Sequence, residues 1–90
     1  MVPGSIGAVV AHANAGVLVT ALRADSRSAG LRVGDVVLRY NGEPVASPRQ
    51  FYRLVTDSRP GSVARLHVLR DGGQHVVDVP VEQLDLAPRA

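Results

Sequence analysis

The 90-residue sequence contains no cysteine, no tryptophan and no lysine, and only three aromatic side chains, Tyr40, Phe51 and Tyr52. Without cysteine there are no disulfides and no thiolate metal sites, and the absence fits any redox compartment. Without lysine there is no phosphate loop of the Gly-x-x-x-x-Gly-Lys kind, and no Gly-x-Gly-x-x-Gly occurs either, so no cofactor is implied. The basic residues are ten arginines, and the net charge is only +2. Seven arginines face four acids in residues 1–60, and three face four in residues 61–90. With so few aromatics between them, these scattered charges read as a solvated surface and not as a nucleic-acid face. Long apolar runs are missing too. The longest, Ala15 to Leu22, is interrupted by Gly16 and Thr20. It falls far short of the ~20 residues that span a bilayer, so no membrane insertion by this segment is expected. The start, Met1-Val2-Pro3-Gly4, has neither a basic nor a long apolar region, and no signal peptide is visible.

What remains is ordinary globular material, 46% hydrophobic and 20% charged. A chain of this length makes one domain and buries roughly 60–65% of its unfolded surface. Short elements are separated by Gly, Pro and Asp. Ala8 to Ala11 is a short strand candidate, Ala13 to Gly16 a turn, and Gly16 to Leu22 a better strand. Arg23 to Arg27 is a polar connection, and Ser28 to Leu31 reads as one short helical turn. Val36 to Tyr40 is a strand that ends in Asn41-Gly42, a tight-turn dipeptide because both residues tolerate positive φ. A brief strand follows at Pro44-Val45.

The best helix begins after Ser47 and runs to about Thr56, before Pro60-Gly61. Ser47 is a good N-cap, Pro48 suits the first helical position, and Gln50 completes a capping box. At about 100° per residue, Phe51 and Leu54 share one edge of a wide apolar stripe, and Pro48, Tyr52 and Val55 share the other. Val63 to Arg70 and Gln74 to Val81 form a hairpin around Asp71-Gly72-Gly73. Leu66 and Val68 alternate with Arg65 and His67, and Val77, Val79 and Val81 alternate with Asp78 and Pro80. The predicted fold is α+β: a small, mostly antiparallel, partly open barrel or sandwich, capped by one main helix and one short helix. The domain is placed at residues 1–83, with residues 84–90 expected to fray.

Catalytic and metal chemistry find little support. A nucleophile needs a base and the base an orienting group, but no Gly-x-Ser-x-Gly elbow occurs. The serines at 5, 26, 28, 47, 58 and 62 fall at turns or caps. His67 and His75 lie on partner strands. A two-residue hairpin loop pairs His75 with Val68 and turns it from His67, whereas a three-residue loop makes the two histidines diagonal neighbours. Two ligands do not complete a zinc site in either case. The segment Gly4 to Ala8 has two readings. Gly7 marks a bulge or turn, or consecutive N–H groups there form a nest for an anion such as a peptide carboxylate.

From Ile6 to Val81 the sequence resembles a PDZ domain of the bacterial kind found in HtrA-type envelope serine proteases. The resemblance is carried by Gly16-Val17-Leu18-Val19-Thr20, by Ser26 to Leu38 with its Ala29-Gly30-Leu31 and Gly34-Asp35, and by Asn41-Gly42-Glu43-Pro44-Val45. Ser47, Pro60-Gly61-Ser62 and Val68-Leu69-Arg70-Asp71-Gly72 complete it. Ser5-Ile6-Gly7-Ala8 stands in place of the family's Gly-Leu-Gly-Phe loop. The resemblance implies a non-catalytic module that takes an extended peptide between strand 8–11 and helix 48–56. The backbone N–H groups of Ile6, Gly7 and Ala8 would hold a terminal carboxylate. Ile6, Ala8, Val10, Tyr52 and Val55 would line the side-chain pocket, with Val9 also in the groove. Pro48 would face the ligand's third residue from the end. Implied partners are C-termini with apolar end residues and a parent protease domain, in the cell envelope or periplasm. The alternative is a structural domain that packs on its protease and binds no free peptide; a free-standing hydrolase is the weakest reading.

Overall fold

The computed structural model describes residues 4–23 and 30–83. Among the described residues, eight strands and one helix follow in the order β1 (Gly4–Ser5), β2 (Ala8–His12), β3 (Val17–Leu22), β4 (Val36–Tyr40), β5 (Glu43–Pro44), α1 (Pro48–Asp57), β6 (Val63–Arg70), β7 (Gly73–Pro80) and β8 (Glu82–Gln83). Every pairing is antiparallel. The main sheet has the order β2-β3-β4-β6-β7, with β5 added beside β4, and β1 pairs separately with β8. This matches the expected α+β class. The short helix predicted at Ser28 to Leu31 falls largely on residues outside the described ones, as does the tail from Leu84.

The hairpin loop between β6 and β7 has two residues. Arg70 pairs with Gly73 and Val68 with His75, while Asp71 and Gly72 take φ of 51° and 77°. Positive φ at both central residues gives a turn whose twist matches the strands it joins. This register removes the diagonal His67/His75 arrangement. The Asn41-Gly42 turn has the same signs, with φ of 51° and 87°. Asn41 does more than turn the chain. Its Oδ1 accepts from Arg65 N–H at 2.7 Å and its N–H donates to the Arg65 carbonyl at 2.8 Å. A side chain thereby extends the β4–β6 ladder past the end of β4.

The helix forms where its caps dictate. Ser47 Oγ accepts from Gln50 N–H at 3.2 Å, with Pro48 at the first helical position. The return half of the expected capping box is displaced by one residue. Gln50 Oε1 accepts from Ala46 N–H at 2.8 Å instead of from Ser47, and Gln50 Nε2 donates to the Pro44 carbonyl at 2.9 Å. The long amide thus ties the helix start to β5. At the other end Ser58 N–H caps the Val55 carbonyl at 3.0 Å. Ser58 Oγ donates to the Leu54 carbonyl at 2.8 Å and accepts from the Tyr40 hydroxyl at 2.5 Å. Burial raises the Tyr40 phenol pKa against the pull of that hydrogen bond.

The apolar face of the sheet closes over the helix. Phe51 and Val55 are buried against Ile6, Val10, Tyr40 and the inward row Ala64, Leu66, Val68, Val77, Val79 and Val81. The alternation expected on β6 and β7 places these residues inside and Arg65, Asp78 and Pro80 outside. Tyr40 meets Phe51 edge-on, with centroids 6.2 Å apart at 90°. Burying Phe51 contributes about 2–3 kcal/mol.

Among the described residues one charged side chain is buried in this interior. Asp35 is 1% exposed. Its Oδ1 accepts from Arg70 Nε at 2.7 Å, and its Oδ2 accepts from Arg70 Nη2 at 2.6 Å and from Arg32 N–H at 2.9 Å. Arg70 Nη2 also donates to the Gly30 carbonyl at 2.8 Å. Burial by itself raises the Asp35 pKa, but the Arg70 fork, the Arg32 N–H and the charges of both arginines outweigh it and hold the carboxyl below its ordinary 3.8. A depressed carboxylate stabilises the fold above its unfolded pKa, and the contribution fades as pH falls through the folded value.

Two predictions follow from this packing. Arg70→Ala leaves a buried, unpaired carboxylate and costs about 3 kcal/mol at neutral pH. Denaturant unfolding at several pH values checks it: the gap between Arg70→Ala and wild type narrows as pH drops below about 4. The second concerns Gly4, whose backbone lies against the end of α1. A Cβ there would stand 2.5 Å from the Ser58 carbonyl oxygen and 2.7 Å from that of Val55. Because both contacts are backbone, Gly4→Ala forces β1 from the helix and costs about 1–3 kcal/mol in the same assay.

Candidate functional site

β2 lies at one end of the sheet order, so among the described residues one of its edges has no strand partner. That edge faces α1. Between the two lies an apolar pocket of about 210 Å³, lined by the chain from Gly4 to Ala8 and, on the helix, by Phe51, Tyr52, Val55 and Thr56. Apart from backbone its walls are mostly hydrocarbon and aromatic. The volume fits one side chain of moderate size and is below the ~300 Å³ at which small-molecule sites begin.

Three elements set this shape. Gly4 seats β1 directly on the carbonyls of the last helical turn, which draws the loop over the pocket's end. Gly7, at φ 68°, then turns the chain into β2, and its carbonyl accepts from Arg23 N–H at 2.9 Å. The Gly7 N–H donates to Ser5 Oγ at 3.3 Å. Phe51 closes the floor, buried to 0% exposure.

Of the residues singled out from sequence, Ile6, Gly7, Ala8, Tyr52 and Val55 meet at the pocket. Ile6 and Val55 are buried, Ala8 is half-buried, and Tyr52 is 39% exposed. Val10 is buried and joins the site through its backbone, its N–H donating to Tyr52 Oη at 2.8 Å. Two residues stand apart. Pro48, half-buried, starts the helix at the far end of the groove from the pocket. Val9 is 53% exposed and outside the lining, because strand alternation turns it from the face that Ala8 and Val10 share. Gly4, Ser5, Phe51 and Thr56 belong to the lining but were not anticipated. Phe51 lies on the stripe edge it shares with Leu54, and the Thr56 position follows from the helical spacing 52, 55, 56.

The described serines are engaged with backbone. Ser47 and Ser5 accept from N–H groups, and Ser58 and Ser62 donate to carbonyls of Leu54 and Arg59. His67 is paired with Val76 across the hairpin and His75 with Val68. Among the described residues no group of three His, Cys, Asp or Glu side chains converges as a metal site.

Comparisons with known proteins agree with this geometry. The family model described as "PDZ domain" matches residues 4–81. A probable periplasmic serine endoprotease, DegP-like, from Rhizobium meliloti is 41% identical over 71 residues, covering 77% of this chain and 14% of that protein. Its namesake from Pseudomonas fluorescens is 38% identical over 80 residues, or 81% of this chain and 17% of that protein. The chain therefore spans only about a sixth or less of these relatives. Among solved structures, the serine endoprotease from Yersinia pestis superposes with a TM-score of 0.84 at 30% identity, over 93% of this chain and 30% of that one. The HtrA-type protease AlgW with decapeptide superposes with a TM-score of 0.87 at 24% identity, over 96% of this chain and 31% of that one, a likeness of fold. An antiparallel sheet with a helix set against its β2 edge and a glycine-turned loop between them, matched by the family model over nearly the whole length, means that this chain belongs to the PDZ-domain family of protein-interaction modules.

Proposed function

We propose that this domain binds the C-terminal ends of peptides by strand addition between β2 and α1. The observation that carries the reading is the apolar pocket at the end of an unpaired strand edge, roofed by a glycine-turned loop. A terminal carboxylate would meet the N–H groups of Ile6, Gly7 and Ala8, with Gly7 exchanging its Ser5 Oγ partner for the stronger, charged acceptor. The last side chain would enter between Ile6, Phe51 and Val55, and the pocket's size and lining favour an apolar residue there. Main-chain pairing along β2 would supply affinity, and alternate side chains would supply specificity. Pro48 carries no donor for a hydroxyl, so an apolar residue is also preferred two positions before the terminus.

In the parent protein the module would serve a serine endoprotease of the periplasm, choosing substrates or relaying a signal to the catalytic domain. The relatives' names, periplasmic serine endoproteases, support this parent and place. One observation favours a second reading, in which the domain packs on its own protease without taking free peptide. Two backbone donors of the groove, Gly7 and Val10, already bond to side chains of the domain.

A titration followed on backbone amides distinguishes the two. Peptides ending in two apolar residues spaced as above should bind at about micromolar Kd, near −8 kcal/mol. Shifts should concentrate at Ile6 to Val10 and Tyr52 to Val55 and vanish when the C-terminus is amidated. Saturating peptide without shifts there leaves the structural reading standing. A C-terminal peptide library should likewise return apolar residues two before the terminus; enrichment in Ser or Thr would count against the Pro48 argument.

A further inference from the structure

Along an antiparallel strand, the N–H and C=O of one residue share an edge, and those of the next residue face the opposite edge. On β2 the carbonyls of Gly7 and Val9 face β3, where Arg23 N–H and Thr20 Oγ1 donate to them at 2.9 and 3.1 Å. The Val10 N–H faces the helix and donates to Tyr52 Oη at 2.8 Å. A peptide with its carboxylate at Ile6 to Ala8 would run antiparallel to β2. Its last residue would pair beside Ala8, and the carbonyl two residues earlier would arrive at the Val10 N–H. The tyrosine oxygen occupies that place. The ring is held there from beneath, edge-on to the buried Phe51, with centroids 5.7 Å apart at 74°.

We propose that Tyr52 is the specificity-determining residue of the groove: its hydroxyl caps the Val10 N–H as a stand-in for a ligand carbonyl, so that only ligands able to displace it pair with β2 beyond their last residue. The proposal rests on the peptide-groove reading above and adds a competitor within the domain itself. The terminal side chain enters the pocket and the carboxylate reaches the nest without disturbing this bond. Pairing further along β2 breaks it. A ligand that gains little from its third residue from the end therefore stays anchored by its terminus alone, and a ligand with a well-fitting residue there is selected.

Tyr52→Phe tests this, since it keeps the ring on Phe51 and removes only the oxygen. Free-acid pentapeptides with apolar residues at the terminus and two before it should bind the variant about 3–10-fold more tightly, the factor of one net hydrogen bond. A second peptide carries an E-alkene in place of the amide that follows the third residue from the end. It has no carbonyl for Val10, and it should bind both proteins equally. Without any peptide, the Val10 amide should exchange with solvent faster in the variant. Equal Val10 exchange in the two proteins overturns the proposal whatever the peptides do. Wild-type binding with no gain in the variant overturns it and leaves the groove standing. An equal gain with the alkene peptide also overturns it, since the extra affinity then comes from room in the pocket. If neither protein binds peptide, the groove reading falls and the proposal falls with it.

Discussion

The buried carboxylate of Asp35 ties the end of β6 and the approach to β4 together beneath the sheet's own pairing. Its side chain takes the Arg70 fork from the end of β6 and the Arg32 N–H from the loop before β4. Its carbonyl accepts from Val19 N–H at 2.8 Å, and the preceding Gly34 N–H donates to the Val19 carbonyl at 2.9 Å. Three strands therefore meet at one residue. A carboxylate at this depth is tolerable only because each oxygen has charged or N–H donors. The same arginine also reaches the Gly30 carbonyl. With β3 and β4 registered this way, β2 is placed on the outer side of β3, and its far edge is left for the helix.

The groove is a consequence of how the helix is tied at its ends. Gln50 binds its first turn to β5, and the Tyr40–Ser58–Leu54 chain binds its last turn to β4. Gly4 permits β1 to lie on the carbonyls of that last turn. The helix is thus fixed against the sheet at two points, with the pocket between β2 and its exposed flank. Surface ion pairs such as Arg23–Glu82 and Arg65–Asp78 decorate this frame. Exposed as they are, each contributes on the order of 0–1 kcal/mol.

Much of the architecture was legible because local chemistry and tertiary packing agree. Ser47 and Pro48 start the helix by capping rules that need no tertiary partner, and Asn41-Gly42 turns by its own tolerance of positive φ. The alternation on β6 and β7 marks the inward face directly. The Asp71-Gly72-Gly73 loop was ambiguous, since either of two loop lengths satisfies that alternation on one strand. Three apolar residues in succession, Ala8 to Val10, do not by themselves reveal which of them face the helix. Gln50 belongs to the expected helix end but takes its hydrogen bond from Ala46 N–H and not Ser47 N–H, since the position of β5 beneath it is a tertiary fact.

The sequence by itself determined the class of fold, the helix and its cap, the turns and, of the groove's two walls, the helix. These follow from periodicity, capping and backbone preference, which act over a few residues. Only the tertiary structure decided the state of the groove between those walls. The pocket exists because Gly4 and Phe51, far apart in the chain, close its end and its floor. The bond from Val10 N–H to Tyr52 Oη spans 42 positions. No local pattern encodes it, because it depends on how far a helix packed on the sheet brings one hydroxyl toward one strand edge.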